Sequence, residues 1–418
     1  FSMAGAAVAA YRASRIHPAE SMRPEAPVIG HRVWLEQITA IWSRLSFTWK
    51  MIARNVSRHK FRSSLNAFGV MISTILLIIG FFAIDGMNYL MDFEYQKTQR
   101  QDVQVSFFLE RNKDALYEAQ RFDYVDYAEP LLQYPFTLTN DWRTKDVLIV
   151  GLQRNARLRR LMDTDERAVD IGEDGLVLSQ KLAEMMSLNV GDSVMMKPMM
   201  GRVTREKEVK VTKIVQQYFG ASGFMNIKAL SRVLDEPFAM NAVLLATEPG
   251  KSRLMNDELD DIPMVSSVAV KQGTIDSMDE TLNNQMEVMS FMIIFFAGMI
   301  AFSIIYNITS VSLSEREREL ASLRVMGFSK QEVGRTLYYE NILMGIVGLI
   351  LGVPFGMLLC KGLVTAFDTE MIRIPYHLEP STFAISIACT SIFVIISNYA
   401  IRHKINNLDL VETLKERE

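Results

Sequence analysis

The side chains that could catalyse a reaction or hold a metal are few and unevenly placed. The histidines are His17, His31, His59, His377 and His403, and the cysteines are Cys360 and Cys389. None lies between residues 87 and 287, which argues against a histidine-based triad, a zinc site or a disulfide framework there. That stretch has acids that could bind a cation but are more typical of a solvated loop: Asp163, Asp165, Asp170, Glu173 and Asp174. We expect no catalytic, metal or cofactor site in this chain, and no enzyme activity of its own.

A run of alternating charge, SEREREL at 314–320, suits a different task, the docking of a protein. With the residues that follow it, this run predicts a helix that stops at Gly327 and a second helix whose N-cap is Ser329. Periodicity alone favours a solvated helical hairpin. The alternative is a docking element for a cytoplasmic partner, in which the two helices act as a lever. The candidate docking residues are Glu315, Arg316, Glu317, Arg318, Glu319, Arg324, Gly327 and Ser329.

The chain contains four apolar runs without charged residues, at 63–84, 288–314, 341–360 and 380–401. Each reaches the roughly 20 residues that cross a hydrocarbon core of about 30 Å. Buried core helices are the alternative, but four such runs in one chain favour membrane spans. We therefore predict transmembrane helices at 63–86, 288–314, 336–360 and 380–401.

Basic residues predict the orientation of these helices. Ten Lys and Arg side chains lie between 11 and 62 against three acids, which places that segment in the cytoplasm. Alternation then puts 87–287 and the short loop 361–379 outside, and 315–335 and the tail 402–418 inside. The formal net charge of −3 gives no basic excess for nucleic acid, and an apolar content of 49% excludes a wholly disordered chain.

Residues 41–62 predict an amphipathic helix in the membrane interface. Apolar residues recur there at helical spacing, while Trp49, Arg54, Arg58 and Arg62 suit the lipid headgroup layer. A basic face that binds nucleic acid is the alternative, and the adjacent span argues against it. The segment 11–40 before this helix contains proline and glycine and predicts a cytoplasmic linker.

The third apolar run presents a helix face without side chains. Gly348, Gly352 and Gly356 recur at every fourth residue, with Gly345 nearby, which predicts close approach of another helix. Glu340 at the start of this run is an ionisable group near the membrane boundary. It could pair with a basic neighbour such as Arg335, reach the interface, or relay protons.

Between the first and second spans, short alternating runs mix with helical stretches and predict an α+β domain at 87–287. Residues 175–197 predict a strand, a helix, a turn at Gly191 and Asp192, and a second strand. The predicted fold is an α-helical membrane protein with four transmembrane helices and an α+β extracytoplasmic domain inserted between the first and second.

A short internal repeat suggests a second membrane module. RIHPAESMR at 15–23 aligns without gaps with NLDLVETLK at 407–415, and each follows an apolar segment. Residues 1–10, FSMAGAAVAA, fit the end of a preceding transmembrane helix better than a signal peptide. We expect this chain to be the C-terminal module of a longer polypeptide.

These segments together resemble the FtsX-like permease family, the membrane subunits of MacB-type and lipoprotein-release ABC transporters. The resemblance covers almost the whole chain and is most specific at 314–356, SERERELASLRVMGFSKQEVGRTLYYENILMGIVGLILGVPFG. That segment is similar to the family's cytoplasmic loop and glycine-rich helix. WKMIARNVSRHKFRSSLNAFGV resembles the amphipathic helix and first span, and GLVLSQKLAEMMSLNVGDSV resembles part of the extracytoplasmic domain.

The resemblance implies a permease in the bacterial cytoplasmic (inner) membrane, driven by a separate cytoplasmic ABC ATPase dimer that binds ATP and Mg. Residues 315–330 would rest on that ATPase, and the chain has no G-x-x-x-x-G-K-[ST] sequence of its own. The implied function is export or extraction of an amphipathic substrate, such as a lipid, lipoprotein, peptide or drug, by movement of the extracytoplasmic domain. The implied partners are the ATPase, membrane lipid, a second permease module in the same chain, and an extracytoplasmic adaptor or hydrolase.

The alternative function is a scaffold that transmits motion without transport and regulates an outer-face hydrolase or a sensor kinase. The same lever would serve both functions. An outer-face adaptor would favour export, and an outer hydrolase would favour the scaffold.

Overall fold

The computed structural model describes residues 36, 39–58, 60–201, 205–260, 262–315, 327 and 330–407. Residues 1–10, nearly all of the linker 11–40, and almost all of both repeat copies lie outside these ranges. The chain divides into two units, residues 1–63 and 64–418, and each is considered by itself.

Helices account for most of the described residues outside the α+β region. In chain order they are α1 (Thr39–Arg44), α2 (Phe47–Arg58), α3 (Lys60–Asp92), α4 (Lys113–Ala119), α5 (Gln180–Met186), α6 (Ile227–Val233), α7 (Leu254–Asp260), α8 (Lys271–Glu315), α9 (Lys330–Ala366) and α10 (Pro380–Asn407). A π-helix, Phe93–Thr98, continues α3.

The predicted amphipathic helix at 41–62 is divided in the structure. Leu45 and Ser46 separate α1 from α2, and the last residues of the predicted range belong to α3. Serine is favoured immediately before the first residue of a helix, so Ser46 is well suited to precede α2. The amide of Lys50 donates to the carbonyl of Ser46 at 3.1 Å.

Among the described residues, four helical segments are long and apolar enough to cross a membrane: Lys60–Thr98, Gln285–Val311, Leu337–Ala366 and Pro380–Ala400. The helices that contain them extend beyond the charge-free runs. With 45 residues, α8 is about 68 Å long at 1.5 Å per residue, roughly twice the thickness of a hydrocarbon core. A helix satisfies its backbone hydrogen bonds in water as well as in lipid. The first charged residue therefore marks the end of the apolar part of a helix, but it does not mark the end of the helix itself.

The α+β domain lies in sequence between α3 and α8. Its strands are β1 (Val103–Arg111), β2 (Val125–Asn140), β3 (Arg143–Leu152), β4 (Leu161–Met162), β5 (Ala168–Val169), β6 (Leu176–Ser179), β7 (Ser193–Pro198), β8 (Lys207–Val215), β9 (Ser222–Asn226), β10 (Met240–Thr247) and β11 (Val265–Val270). The predicted strand, helix, turn and strand at 175–197 are found as β6, α5 and β7. Gly191 in the turn has φ +104°, a conformation that favours glycine.

The described strands form a nine-stranded sheet in the order β11-β1-β10-β2-β3-β9-β6-β8-β7, with β4 and β5 as a separate pair. Strand β7 also pairs with β2, so the six strands from β2 to β7 in this order close into a small barrel. The pairs β3/β9 and β6/β8 are parallel.

The main core of the domain follows from alternation along these strands. In β2, Leu132, Tyr134, Phe136 and Leu138 are buried at every second position, as expected for a strand with one face inside. Helices α5 and α6 add Leu182, Met186 and Leu230 to the same apolar cluster. The domain thus has an apolar core of its own, and the long helices α3 and α8 flank it in sequence.

Candidate functional site in the helix bundle and at its junction with the α+β domain

The glycine repeat of α9 faces α3. A Cβ atom at Gly348 would lie 2.6 Å from the carbonyl oxygen of Ala67, and one at Gly352 would lie 2.7 Å from the Cβ of Thr74. A Cβ at Gly356 would lie 2.9 Å from Ile78. Only residues without a side chain allow this separation of the two helix backbones.

Gly345 lies against a different helix. Its nearest neighbour is Val394 of α10, 3.2 Å from the position of a Cβ. Because Gly345 precedes Gly348 by three residues rather than four, it lies on a slightly rotated face of α9. Isolated glycines outside the repeat also lie at helix crossings, as at Gly80 against Ile293 and Gly298 against Phe393.

A buried polar cluster joins all four apolar helices, and the sequence analysis did not find it. The Nδ2 of Asn66 in α3 donates to the Oδ1 of Asn341 in α9 at 2.9 Å. The Nδ2 of Asn341 donates to Thr309 Oγ1 in α8 and to Asn398 Oδ1 in α10, both at 3.1 Å. All four side chains are buried. The signal that could have found them is an asparagine within an apolar run, since such polar groups bond across membrane helices.

Glu340 lies beside this cluster, at the position of α9 just before Asn341. Its side chain is 7% exposed, so it lies inside the bundle rather than at its surface. Arg335, the basic neighbour considered above, donates from Nε to the hydroxyl of Tyr339 at 3.2 Å and lies over its ring. The role of Glu340 stays a prediction.

The predicted docking region begins where α8 ends, at Glu315. Arg316, Glu317, Arg318, Glu319, Arg324 and Ser329 lie outside the described residues. Gly327 is exposed and has φ +98°, the left-handed conformation that ends many helices. The docking role of this region stays a prediction.

The four predicted interfacial residues are divided between two helices. Trp49, Arg54 and Arg58 lie on α2 and Arg62 lies near the start of α3. Within this unit, Arg54 Nε binds Glu36 at 2.8 Å and its guanidinium lies 5.5 Å from the ring centre of Trp42. Trp49 and Arg58 are exposed, as lipid contact would require, but the interfacial role is not tested by these contacts.

Two continuous backbone connections join the bundle to the α+β domain. Helix α3 passes through the π-helix into β1, and α8 begins at Lys271, directly after the last residue of β11. The amide of Lys271 donates to the carbonyl of Asp102 at 2.8 Å, which ties the start of α8 to the chain just before β1. Helix α3 thus leads into β1 and α8 leads out of β11, which are neighbours at one edge of the nine-stranded sheet.

A third connection is made by the loop between α9 and α10, residues 367–379. The sequence predicts an outer loop at 361–379, but α9 continues through Ala366, so residues 361–366 are helical. The contact of this loop with the α+β domain was not predicted. Phe219 and Ile372 form an antiparallel β-bridge, and Arg373 N donates to the carbonyl of Tyr218 at 2.9 Å. Three ion pairs reinforce the contact: Lys145–Glu370 at 2.7 Å, Lys181–Asp368 at 3.0 Å and Arg373–Glu184 at 3.1 Å. The third and fourth apolar helices are thus also fastened to the domain.

Asp85 joins α3 to the first turn of α10. Its Oδ2 accepts from the amide of Glu379 at 3.0 Å and from the hydroxyl of Thr382 at 2.7 Å. A carboxylate near a helix N-terminus satisfies free backbone donors and complements the helix dipole. This contact fixes the two helices together near the point where the 367–379 loop reaches the domain.

An aromatic cluster lies at the same junction. Tyr89 stacks on His377 with ring centres 4.6 Å apart, and Phe93 meets Tyr218 edge to face at 4.8 Å. Beside it, Lys97 donates to Glu166 at 2.6 Å and the hydroxyl of Tyr89 donates to the same carboxylate. These two hydrogen bonds, that of Lys97 first, hold the pKa of Glu166 below its ordinary value.

The described residues at this junction make structural connections between the helices and the α+β domain. Among them, no three His, Cys, Asp or Glu side chains come together to hold a metal ion. The arrangement can transmit a movement of the helices to the α+β domain through α3, α8 and the 367–379 loop.

Two family sequence models match this chain. The MacB-like periplasmic core domain matches residues 63–287, more than half of the chain, and the FtsX-like permease C-terminal family matches residues 291–406. The lipoprotein-releasing system transmembrane protein LolC of Haemophilus influenzae is 25% identical over 229 residues. That match covers 50% of this chain and 56% of LolC, so the chain spans about half the length of this curated relative.

Two solved structures are similar to parts of the chain. One is the extracellular domain of the noncanonic ABC-type transporter YknZ from Gram-positive bacteria, with a TM-score of 0.29 and 12% identity over 40% of this chain and 98% of that one. The other is the periplasmic region of MacB from Actinobacillus actinomycetemcomitans, with a TM-score of 0.29 and 10% identity over 45% of this chain and 95% of that one. The family matches across both the α+β domain and the apolar helices place this chain in the family of FtsX-like, MacB-type ABC transporter permeases.

Proposed function

We propose that this chain couples ATP hydrolysis by a separate cytoplasmic ATPase to movement of its α+β domain, and that this movement exports or extracts an amphipathic substrate. The observation that carries the proposal is the triple attachment of the domain to the bundle, through α3, α8 and the 367–379 loop. With three attachments, a rearrangement of the helices would be passed to the domain at three places.

The proposed topology puts the α+β domain outside the cytoplasmic membrane and Glu315, Lys330 and the C-terminal tail inside. The basic segments at 11–62 and 315–335 support this orientation. Residues 315–330 would then contact the ATPase at the end of α8, about 68 Å by helix length from the last strand of the domain. A continuous helix of that length suits the transmission of a movement across the membrane.

Within the bundle, the glycine contacts and the polar cluster have a proposed packing role. The glycines hold α9 close to α3, and Asn341 joins all four helices near the end where α8 stops and α9 begins. We propose that this end moves as one body when the ATPase changes state.

The substrate class is proposed from the membrane setting and from what LolC is named for, a lipoprotein-releasing system. The first test is affinity purification of the full-length protein from its native membrane, followed by reconstitution with whatever ATPase is recovered. ATP-dependent release of a fluorescent lipoprotein or lipid to an acceptor would support transport. Recovery of an ATPase with domain movement but no release would favour the scaffold function, and absence of an ATPase in mild detergent would contradict the proposal.

A further inference from the structure

The loop between β3 and β4, residues 153–160, has the sequence QRNARLRR and lines a cavity with arginines. The cavity has a volume of about 320 Å³ and is bounded on its other side by residues 168–171. Arg154, Arg157, Arg159 and Arg160 all line it. Its volume lies at the lower end of the range of small-ligand pockets, about 300 to 1,000 Å³.

Arg159 differs from the other three arginines because part of its guanidinium is buried. Its Nε is inaccessible to solvent and has no hydrogen-bond partner. None of the ion pairs and side-chain hydrogen bonds among the described residues involves this guanidinium. Burial lowers the pKa of Arg159, and the carboxylate of Glu94 opposes that effect. Buried polar groups are normally hydrogen-bonded, so an anion in the cavity would supply the hydrogen-bond partner that this Nε lacks.

The carboxylates near the cavity leave the Nε of Arg159 without a hydrogen bond. Glu94 acts on Arg159 through its charge, and its Oε1 accepts from the Nε2 of Gln99 at 2.5 Å. Arg154 pairs with Glu173 at 2.8 Å, but both side chains are largely exposed. Glu129 is buried and accepts from the backbone amides of Arg157 at 2.6 Å and Leu158 at 3.1 Å, which holds the loop in shape. Of the described residues that line the cavity, Asp170 is the one carboxylate, and it is exposed.

The loop is fastened to the segment that follows the first apolar helix. Arg100 N donates to the carbonyl of Leu158 at 2.7 Å, and Arg160 N donates to the carbonyl of Thr98 at 2.9 Å. Gln99 and Arg159 form an antiparallel β-bridge. The cavity therefore lies beside the segment that joins the end of the π-helix to β1.

We propose that this cavity binds a phosphate-bearing anion through the guanidinium groups of Arg159 and Arg160. Arginine is suited to this task because its planar donors match two phosphate oxygens at once. The anion has two potential sources, the headgroup of an anionic phospholipid and inorganic phosphate from solution. The site is separate from the proposed transport function, since binding can be measured without an ATPase.

The test uses the full chain in bilayer discs of phosphatidylcholine, with inorganic phosphate added against chloride at equal ionic strength. A second set of discs contains phosphatidylglycerol as well. Binding is followed as slowed amide hydrogen exchange of residues 153–161, measured by mass spectrometry. Arg159→Gln and Arg160→Gln are compared with wild type and with Arg143→Gln. This matched control removes the same charge at the start of β3, where the guanidinium lies against Trp142.

We expect exchange to slow in wild type and in Arg143→Gln, and the apparent affinity to fall about tenfold or more in Arg159→Gln and Arg160→Gln, the loss typical of a charge-assisted hydrogen bond. A response to phosphate in phosphatidylcholine discs identifies free phosphate, whereas a response to phosphatidylglycerol alone identifies the headgroup. No response beyond the chloride control, or equal responses in wild type and both loop variants, overturns the proposal. Thermal unfolding checks whether Arg159→Gln is folded. If Arg159→Gln does not fold, the comparison of Arg160→Gln with wild type decides the test.

Discussion

Asn66 donates a hydrogen bond to Asn341 at 2.9 Å across 275 positions of the chain. Because Asn341 also donates to Thr309 and Asn398, one side chain connects the helices of all four candidate spans. Single hydrogen bonds between membrane helices stabilise by only about 0.6 kcal/mol on average. Loss of Asn341 would have a larger effect, because it would leave two other buried amides with fewer partners.

Replacement of Asn341 by Leu should therefore lower the free energy of unfolding by about 1–3 kcal/mol. The matched control is Asn307→Leu, since Asn307 is exposed on α8 and bonds only within its own helix among the contacts found, to Ser303 at 3.4 Å. Unfolding by a denaturing detergent, followed by circular dichroism, measures both. Equal losses in the two variants would show that the cluster has no special role.

Replacement of Gly348 by Ala should destabilise the bundle by about 1–3 kcal/mol, the usual effect of overpacking. The added Cβ would meet the backbone oxygen of Ala67, which cannot turn away as a side chain can. Gly362→Ala in the same helix is the control, because nothing lies within 4 Å of its Cβ position; it should be neutral or slightly stabilising. The Gly348 contact would be unimportant if the two variants unfolded alike.

Replacement of Gly352 by Leu should disrupt helix packing more than Gly348→Ala does, because the larger side chain would meet Thr74 of α3. Assembly of the complex is the measurement, and a normally assembled complex would contradict this prediction.

The ion pair of Lys181 and Asp368 should couple the 367–379 loop to α5. The two side chains are 15% and 21% exposed, so water screens them less than most surface pairs. A double-mutant cycle with Lys181→Ala and Asp368→Ala should give a coupling free energy of about 0.5–1 kcal/mol. The cycle for the exposed pair Arg154 and Glu173 should give close to zero. Thermal unfolding of the full chain measures both cycles, and a coupling no larger than that of the exposed pair would argue against the tether.

Stability at low pH should depend on Glu166. Its pKa in the folded protein lies below its ordinary value of 4.5, first because of Lys97 and then because of Tyr89. The stabilisation is therefore fully present above about pH 4.5 and is lost as the pH falls through the lower folded pKa. The effect is small because the pair is partly exposed.

Melting temperatures measured against pH test this contribution. Glu166→Gln should flatten the acid limb of the curve, because it removes the group that titrates. Lys97→Met should make the acid limb less steep, because it removes the partner of that group. Parallel curves for wild type and Glu166→Gln would contradict the assignment.

Replacement of Arg318 and Arg324 by Glu should lower the stimulation of the partner ATPase without unfolding the membrane helices. The charge pattern of 315–324 is the basis for this prediction. The ATPase rate with and without permease, together with the helix content of the variant, provides the measurement. Unchanged stimulation would remove the docking role from this segment.

Sequence alone determined the features that depend on local composition. Absence of charge over about 20 residues marks a segment that can cross a membrane, and alternation marks a half-buried strand. The spacing of Gly348, Gly352 and Gly356 predicted a close helix contact because four residues make nearly one helical turn. The order of β6, α5 and β7 was likewise predicted from the residues between 175 and 197.

Only the tertiary structure decided which faces meet. It selected α3 as the neighbour of the glycine face, joined Asn66, Thr309 and Asn398 through Asn341, and fastened the 367–379 loop to the α+β domain. It also buried the Nε of Arg159 in a loop whose three other arginines line the same cavity. These relationships depend on how helices and strands distant in the chain pack together, and a local pattern specifies the face of an element without specifying its partner.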